Sequence, residues 1–322
     1  MSETSFSELG RKEAVRLLLE NSGFSGKSEF SASKGDKVIT ATALLAEGVD
    51  FDLTYFPLKH LGYKSVIAAT CELYASLAHP KSLSVNLAIS SKLDFDQIKE
   101  LWSGMLVAAE EHHFQSLTLD LSPSVNGLVI SVSAIGTVSL LTDKRRSAAK
   151  VKDLLCVSGT PGAAFLGLNV LQRGKAGFDK GELSREEMEQ YKMLVGAYLK
   201  PELASGMVQQ LEDSQIYPSC GSTLRFGLAQ AVKSLSEQTG LGAKIYVDKI
   251  PFEGGSFDFG KTADIDPVDA ALRGGEDYQV LYCIPILSFE KFKKDFPTFN
   301  IIGHLAQSDV GTTIVTPDGV EL

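Results

Sequence analysis

Gly274-Gly275-Glu276-Asp277-Tyr278 runs directly into Gln279-Val280-Leu281-Tyr282. Two glycines, two acids and an aromatic thus lead into an apolar, strand-like run. Glycines let backbone segments approach closely, and a bulged strand entry turns carboxylates out of a strand edge. On that reading the segment is a site for a cationic or metal-bound ligand. The same residues also read as a polar loop before a buried strand.

The flanks of this motif alternate helix and strand. Residues 154–158 read as a strand, Pro161-Gly162 as a turn and 163–171 as a helix. A loop over 174–182 and a charged helix from about 184 follow. Pro201 restarts a helix through 211, and a further helix spans 224–239, closed by Gly240-Leu241-Gly242. Strands at 244–247, 278–284 and 300–303 are interleaved with helices at 267–272 and about 288–295, and Pro317-Asp318-Gly319 makes a closing hairpin.

The first half has a similar grammar. A helix over 11–21 precedes a strand at 37–45, and a long helix lies between Pro57 and Pro80. Residues 82–89 alternate apolar and polar, as a half-buried strand does. Asp94 and Gln97 stand in capping-box position. The helix they open turns Ile98, Leu101, Trp102, Met105 and Leu106 toward a core. Strands follow at 117–121 and 128–135. The polar link Ser122-Pro123-Ser124 suits a hairpin or meander. The expected class is α+β in two domains, 1–148 and 149–322. The first is a sheet with helices on one side, and the second an α/β sandwich.

Bulk properties narrow the functions. The chain has 322 residues, 44% of them hydrophobic, enough for two full cores. A net charge of −9 argues against nucleic acid as a partner, because phosphate binding needs a basic face. No apolar run approaches the ~20 residues that span a membrane. The segment from Met1 to Gly10 is polar and acidic, unlike a secretory signal. Cys71, Cys156, Cys220 and Cys283 contain no CxxC pair and read as reduced, buried thiols of a cytoplasmic protein.

The common chemical motifs are missing. There is no GxxxxGK[ST] loop, no GxGxxG, no HExxH and no GxSxG. Adjacent His112 and His113 read as the end of a helix. Ser158-Gly159-Thr160-Pro161-Gly162 reads either as an anion site at a helix start or as a plain strand-turn-helix link.

Several segments, taken in order, resemble one family. They are Ser7-Glu8-Leu9-Gly10, Leu44-Leu45-Ala46-Glu47-Gly48-Val49-Asp50-Phe51-Asp52-Leu53 and Pro57-Leu58-Lys59-His60-Leu61-Gly62-Tyr63-Lys64. Then come Gly127-Leu128-Val129-Ile130-Ser131-Val132, Gly162-Ala163-Ala164-Phe165-Leu166-Gly167-Leu168, Gly274-Gly275-Glu276-Asp277-Tyr278 and Ile302-Gly303-His304. Together they resemble thiamine-monophosphate kinase, within the superfamily that also holds aminoimidazole ribonucleotide (AIR) synthetase. The resemblance implies an AIR synthase-like fold whose N-terminal domain pairs in a homodimer. It also implies a cleft where ATP and several magnesium ions serve transfer of the γ-phosphate to thiamine phosphate. Such transfer is mostly positioning and charge neutralisation, and magnesium needs hard oxygen ligands.

The family's acids are largely replaced. Its Gly-Asp-Asp-Ala-Ala segment falls on Gly26-Lys27-Ser28-Glu29-Phe30, and its Ser-Thr-Asp on Ala41-Thr42-Ala43. Its Asp-x-Ser-Asp-Gly falls on Thr223-Leu224-Arg225-Phe226-Gly227, so Lys27, Ser28, Ala43, Thr223 and Phe226 occupy metal positions. Glu72 and Asp120 are the surviving remnants. Asp50 replaces a substrate-binding histidine, Glu276 falls on a substrate glutamate, and Arg146 falls on an arginine that contacts nucleotide phosphates. The expectation is a catalytically degenerate relative with no metal site and no cofactor, retaining a homodimer and a phosphorylated or thiamine-like ligand or a protein partner. Magnesium and ATP belong only to a surviving kinase. The alternative is an active enzyme in which Lys27, Arg146 and Arg225 supply fixed positive charge beside Glu72, Asp120, Glu276 and Asp277.

Overall fold

The computed structural model describes residues 11–20, 22–24, 30–178 and 189–321. Its contacts divide the chain into two compact units, Met1–Leu73 with Ala78–Ser139, and Tyr74–Leu77 with Leu140–Leu322. Each holds one sheet with helices, an α+β architecture.

In the first unit, strands β1 (Lys37–Ala46), β2 (His79–Ser90), β3 (Ser116–Ser124) and β4 (Val129–Val138) form a sheet in the order β1-β4-β2-β3. Helix α1 (Arg11–Leu19) precedes them, α2 (Leu58–Ala75) joins β1 to β2, and α3 (Phe95–Glu111) joins β2 to β3. Strand β4 is antiparallel to both neighbours, whereas β2 and β3 are parallel, as a crossover through α3 requires. Ser122-Pro123-Ser124 is therefore not a hairpin link. It continues β3, and Pro123 is tolerated because β3 is an edge strand.

The sheet is covered on one face. Along β1, Ala41, Ala43 and Leu45 are buried while Thr40, Thr42 and Leu44 are exposed. Helix α3 begins with the expected capping box: Gln97 N donates to Asp94 Oδ1 at 2.8 Å, and Asp94 N donates to Gln97 Oε1 at 3.0 Å. Helices α2 and α3 cross at glycines. A Cβ on Gly62 would overlap the Leu101 carbonyl oxygen, and one on Gly104 would overlap that of Lys59. Trp102 closes the unit by donating its indole N–H to the Leu18 carbonyl at 2.7 Å.

The second unit carries a six-stranded sheet. Its strands are β5 (Leu154–Ser158), β6 (Cys220–Thr223), β7 (Gly242–Tyr246), β8 (Val280–Ile284), β9 (Phe299–Ala306) and β10 (Thr312–Val315), in the order β10-β7-β9-β5-β8-β6. Only β10 and β7 pair in parallel. The helices are α4 (Leu140–Arg145), α5 (Ala163–Phe178), α6 (Lys192–Leu199), α7 (Met207–Asp213), α8 (Leu228–Thr239), α9 (Ser256–Ala263), α10 (Pro267–Arg273) and α11 (Phe289–Asp295).

Four expectations change here. Helix α5 continues through 174–178 instead of ending at Leu171. The helix expected over 201–211 starts only at Met207, after Gly206 adopts a left-handed φ of 73°. The helix expected over 224–239 starts at Leu228, and the preceding residues form β6 and a tight turn. Helix α9 is an addition, in a segment whose glycines and aromatics carry no clean 3.6-residue pattern. The charged helix expected from Ser184 lies outside the described residues as far as 188. Among the described residues, no helix is long and apolar enough to cross a membrane.

Candidate functional site

The Gly274–Tyr278 turn is the hub of the second unit. Strand β8 is antiparallel to β5 and β6, so its start lies beside their ends. Three segments therefore meet at one end of the sheet: Ser158–Gly162, Thr223–Gly227 and the turn itself.

Asp277 is 4% exposed, and its two oxygens are spent on backbone. Gly162 N donates to Oδ2 at 2.9 Å and Ala164 N donates to Oδ1 at 3.0 Å. These N–H groups open helix α5, where the first turn lacks intrahelical acceptors and the dipole favours negative charge. The Ser158–Gly162 loop does meet an anion, and that anion is the chain's own carboxylate. Asp277 does not project from a strand edge.

The neighbouring residues are locked as tightly. Ser158 Oγ donates to Gln279 Oε1 at 2.6 Å and accepts from Val280 N at 3.0 Å. Gln279 Nε2 donates to the Glu202 carbonyl at 2.7 Å. Glu276 N donates to the Arg225 carbonyl at 2.9 Å, pinning the turn to the 225–227 loop. Gly275, at φ 76°, lies so close that a Cβ would stand 2.6 Å from that same carbonyl oxygen. Glu276 and Tyr278 are themselves left-handed, at φ 65° and 49°. Non-glycine residues hold this conformation only where surroundings enforce it. Tyr278 Oη donates to Glu276 Oε1 at 3.0 Å, setting the carboxylate's orientation.

The other candidate residues divide between the two units. In the second unit, Thr223 is in the β6 ladder opposite Val280. Phe226 is 65% exposed, with the Arg225 guanidinium 5.2 Å from its ring centroid. Arg146 Nε donates to the carbonyls of Pro218 and Ser219, at 3.0 and 3.2 Å, and so holds the entry to β6. In the first unit, Ala43 is 1% exposed and faces the core. Asp50 Oδ2 accepts from Ala46 N at 2.8 Å, closing the turn after β1. Glu72 is half-buried on α2. Asp120 is on the open face of β3, beside a shallow concavity of about 160 Å³ that Asn86, Ser122 and Ser131 also line. Lys27 and Ser28 lie outside the described residues.

The structure thus brings together Thr223, Arg225, Phe226, Glu276 and Asp277. Sequence reasoning named Ser158 only within the Ser158–Gly162 loop, and it gave no bonding role to Gln279 or to Glu47, whose Oε2 accepts from Leu128 N at 2.7 Å. Among the described residues no group of three or more His, Cys, Asp or Glu side chains could hold a metal ion. Of the family metal positions that lie in the described residues, Ala43, Thr223 and Phe226 carry no carboxylate.

The two-unit α+β chain has an AIR synthase-like fold. Residues 28–138 match the model of the AIR synthase related protein N-terminal domain. Thiamine-monophosphate kinase of Aquifex aeolicus is 24% identical over 278 residues, 86% of each chain. The crystal structure of thiamine-monophosphate kinase from Stenotrophomonas maltophilia superposes with a TM-score of 0.72 at 19% identity, covering 93% of this chain and 94% of that one. A HypE chain from a HypE–HypF complex superposes with a TM-score of 0.61 at 19% identity, covering 95% and 97%. Residues 28–138 thus resemble the AIR synthase related N-terminal domain, and most of the chain is similar to thiamine-monophosphate kinases.

Proposed function

We propose that this chain is a catalytically degenerate relative of thiamine-monophosphate kinase, one that keeps the fold and acts through binding. The observation that carries the reading is the fate of the acid positions. Ala43 is buried, Thr223 is committed to a strand ladder, and Phe226 presents an aromatic ring. None offers the hard oxygen charge that magnesium needs. Asp50 and Asp277 are carboxylates, but both are engaged by backbone N–H groups. Lys27 and Ser28 remove two further acids. With so little negative charge, two anionic phosphates have nothing to hold the cations that would screen them.

Binding of a partner protein fits this reading, since one structural relative is seen as the HypE–HypF complex. A phosphorylated or thiamine-like small molecule near Glu276 fits it too. The protein acts as a homodimer through the first unit, whose open sheet face exposes Val38 and Leu44, and it works in the cytoplasm.

Isothermal titration with ATP and with thiamine phosphate, each with and without magnesium, tests the reading. No magnesium-dependent heat and no thiamine diphosphate product are expected. Tight magnesium-dependent ATP binding, or turnover, overturns it.

A further inference from the structure

Cys220 and Cys283 stand directly opposite each other in the antiparallel β6–β8 pair. Both belong to the same apolar core on one face of the sheet, together with Leu155, Val157 and Leu281. Directly opposed residues in an antiparallel pair have Cα atoms ~4.5–5.5 Å apart, inside the ~4.4–6.8 Å range that a disulfide spans. Cys156, on β5, is opposite Tyr282 and outside that core. No disulfide joins any of the four cysteines. We propose that Cys220 and Cys283 form an oxidisable dithiol, a peroxide-responsive site that closes to an intramolecular disulfide.

The two sulfurs have unequal roles. Strand β6 is the edge of its sheet and only four residues long, and Cys220 is 5% exposed where Cys283 is 0%. Cys220 is therefore the thiol an oxidant reaches first. The contact with the Cys283 thiol lowers the Cys220 pKa, burial opposes that, and the Arg146 guanidinium lowers it again. Cys283 is pushed far above the ordinary thiol range, chiefly by that same contact and by burial. A thiolate is the reactive form, and of the two thiols Cys220 is the one whose pKa is lowered.

The step balances with hydrogen peroxide as oxidant. The Cys220 thiolate attacks one peroxide oxygen, the O–O bond breaks, and Cys220 becomes a sulfenic acid as hydroxide leaves and takes up a proton. Cys283 sulfur then attacks the Cys220 sulfur, the S–OH bond breaks, and the Cys283 proton leaves with the hydroxyl as water. Two thiols lose two electrons and two protons, and one peroxide becomes two waters. A thiol reductant reverses the bond through a mixed disulfide.

The full chain is treated with hydrogen peroxide, denatured, alkylated and weighed, with its disulfide-linked peptides mapped. The oxidised chain should carry two alkyl adducts instead of four and show one Cys220–Cys283 linkage, and before alkylation its mass should be about 2 Da lower. Dithiothreitol should restore all four. Cys220→Ser should abolish the protection, and Cys283→Ser should leave a Cys220 sulfenic acid that dimedone traps. Circular dichroism identifies any variant that has not folded, and the wild-type mapping stands without the variants. Four alkylated thiols after peroxide, a linkage through Cys71 or Cys156, or only intermolecular linkage overturns the proposal.

Discussion

Asp277 shows how a residue that looks like a ligand group becomes a structural one. Its carboxylate receives two N–H groups at the start of α5, and the strained Glu276 and Tyr278 on either side hold it there. Asp277→Ala would leave both donors buried and unpaired. It should destabilise the second unit by about 2 kcal/mol, seen as a lower urea midpoint. A variant as stable as the wild type would mean that water or another side chain replaces the cap. Asp50 and Glu47 tell the same story in the first unit, where each acid near the end of β1 accepts a backbone N–H.

At the scale of elements, the paired glycines of α2 and α3 decide how the first unit packs. Gly62 and Gly104 let each helix rest on a carbonyl of the other. Gly104→Ala favours the helix intrinsically by ~1 kcal/mol, yet it must push two backbones apart. The expected net effect is a loss of about 2 kcal/mol, and a raised melting temperature would contradict the close crossing. Helix α3 also ends on His112, fully buried, whose pKa is lowered to about 4 by burial and then by the charge of His113. Between pH ~6.5 and ~4 the unfolded chain binds a proton that the folded chain refuses, so stability is complete above that window and falls on acidification. The loss should approach about 3 kcal/mol at the low end. His112→Gln should flatten the stability–pH curve in this window, and an unchanged curve would remove His112 as its cause.

For the whole molecule, the testable matter is assembly. Val38 and Leu44 are 53% and 59% exposed on an open sheet face whose other positions are mostly small and polar. Such a face, with Asp120 as a charged group on edge strand β3, can pair with a second copy through β1. Leu44→Glu should convert a dimer to a monomer by light scattering, because an unpaired carboxylate would enter the interface. A monomeric wild type would end the homodimer reading.

Much of this was legible in the sequence. Alternation marked β2, Asp94 and Gln97 marked the start of α3, and the ordered motifs pointed to an AIR synthase-like α+β fold, because each signal is local. Short β6 was not legible, since Cys220–Thr223 become a strand only by pairing with β8, and the start of α8 moved with it. Nor was the parallel pairing of β2 with β3, which rests on a crossover and not on a turn. The Gly274–Tyr278 stretch divides the same way. Its residue types alone announced a special turn of glycines and acids. Whether Asp277 faced a ligand or a helix depended on Gly162 and Ala164, more than a hundred residues away, which only the folded chain brings within hydrogen-bonding distance.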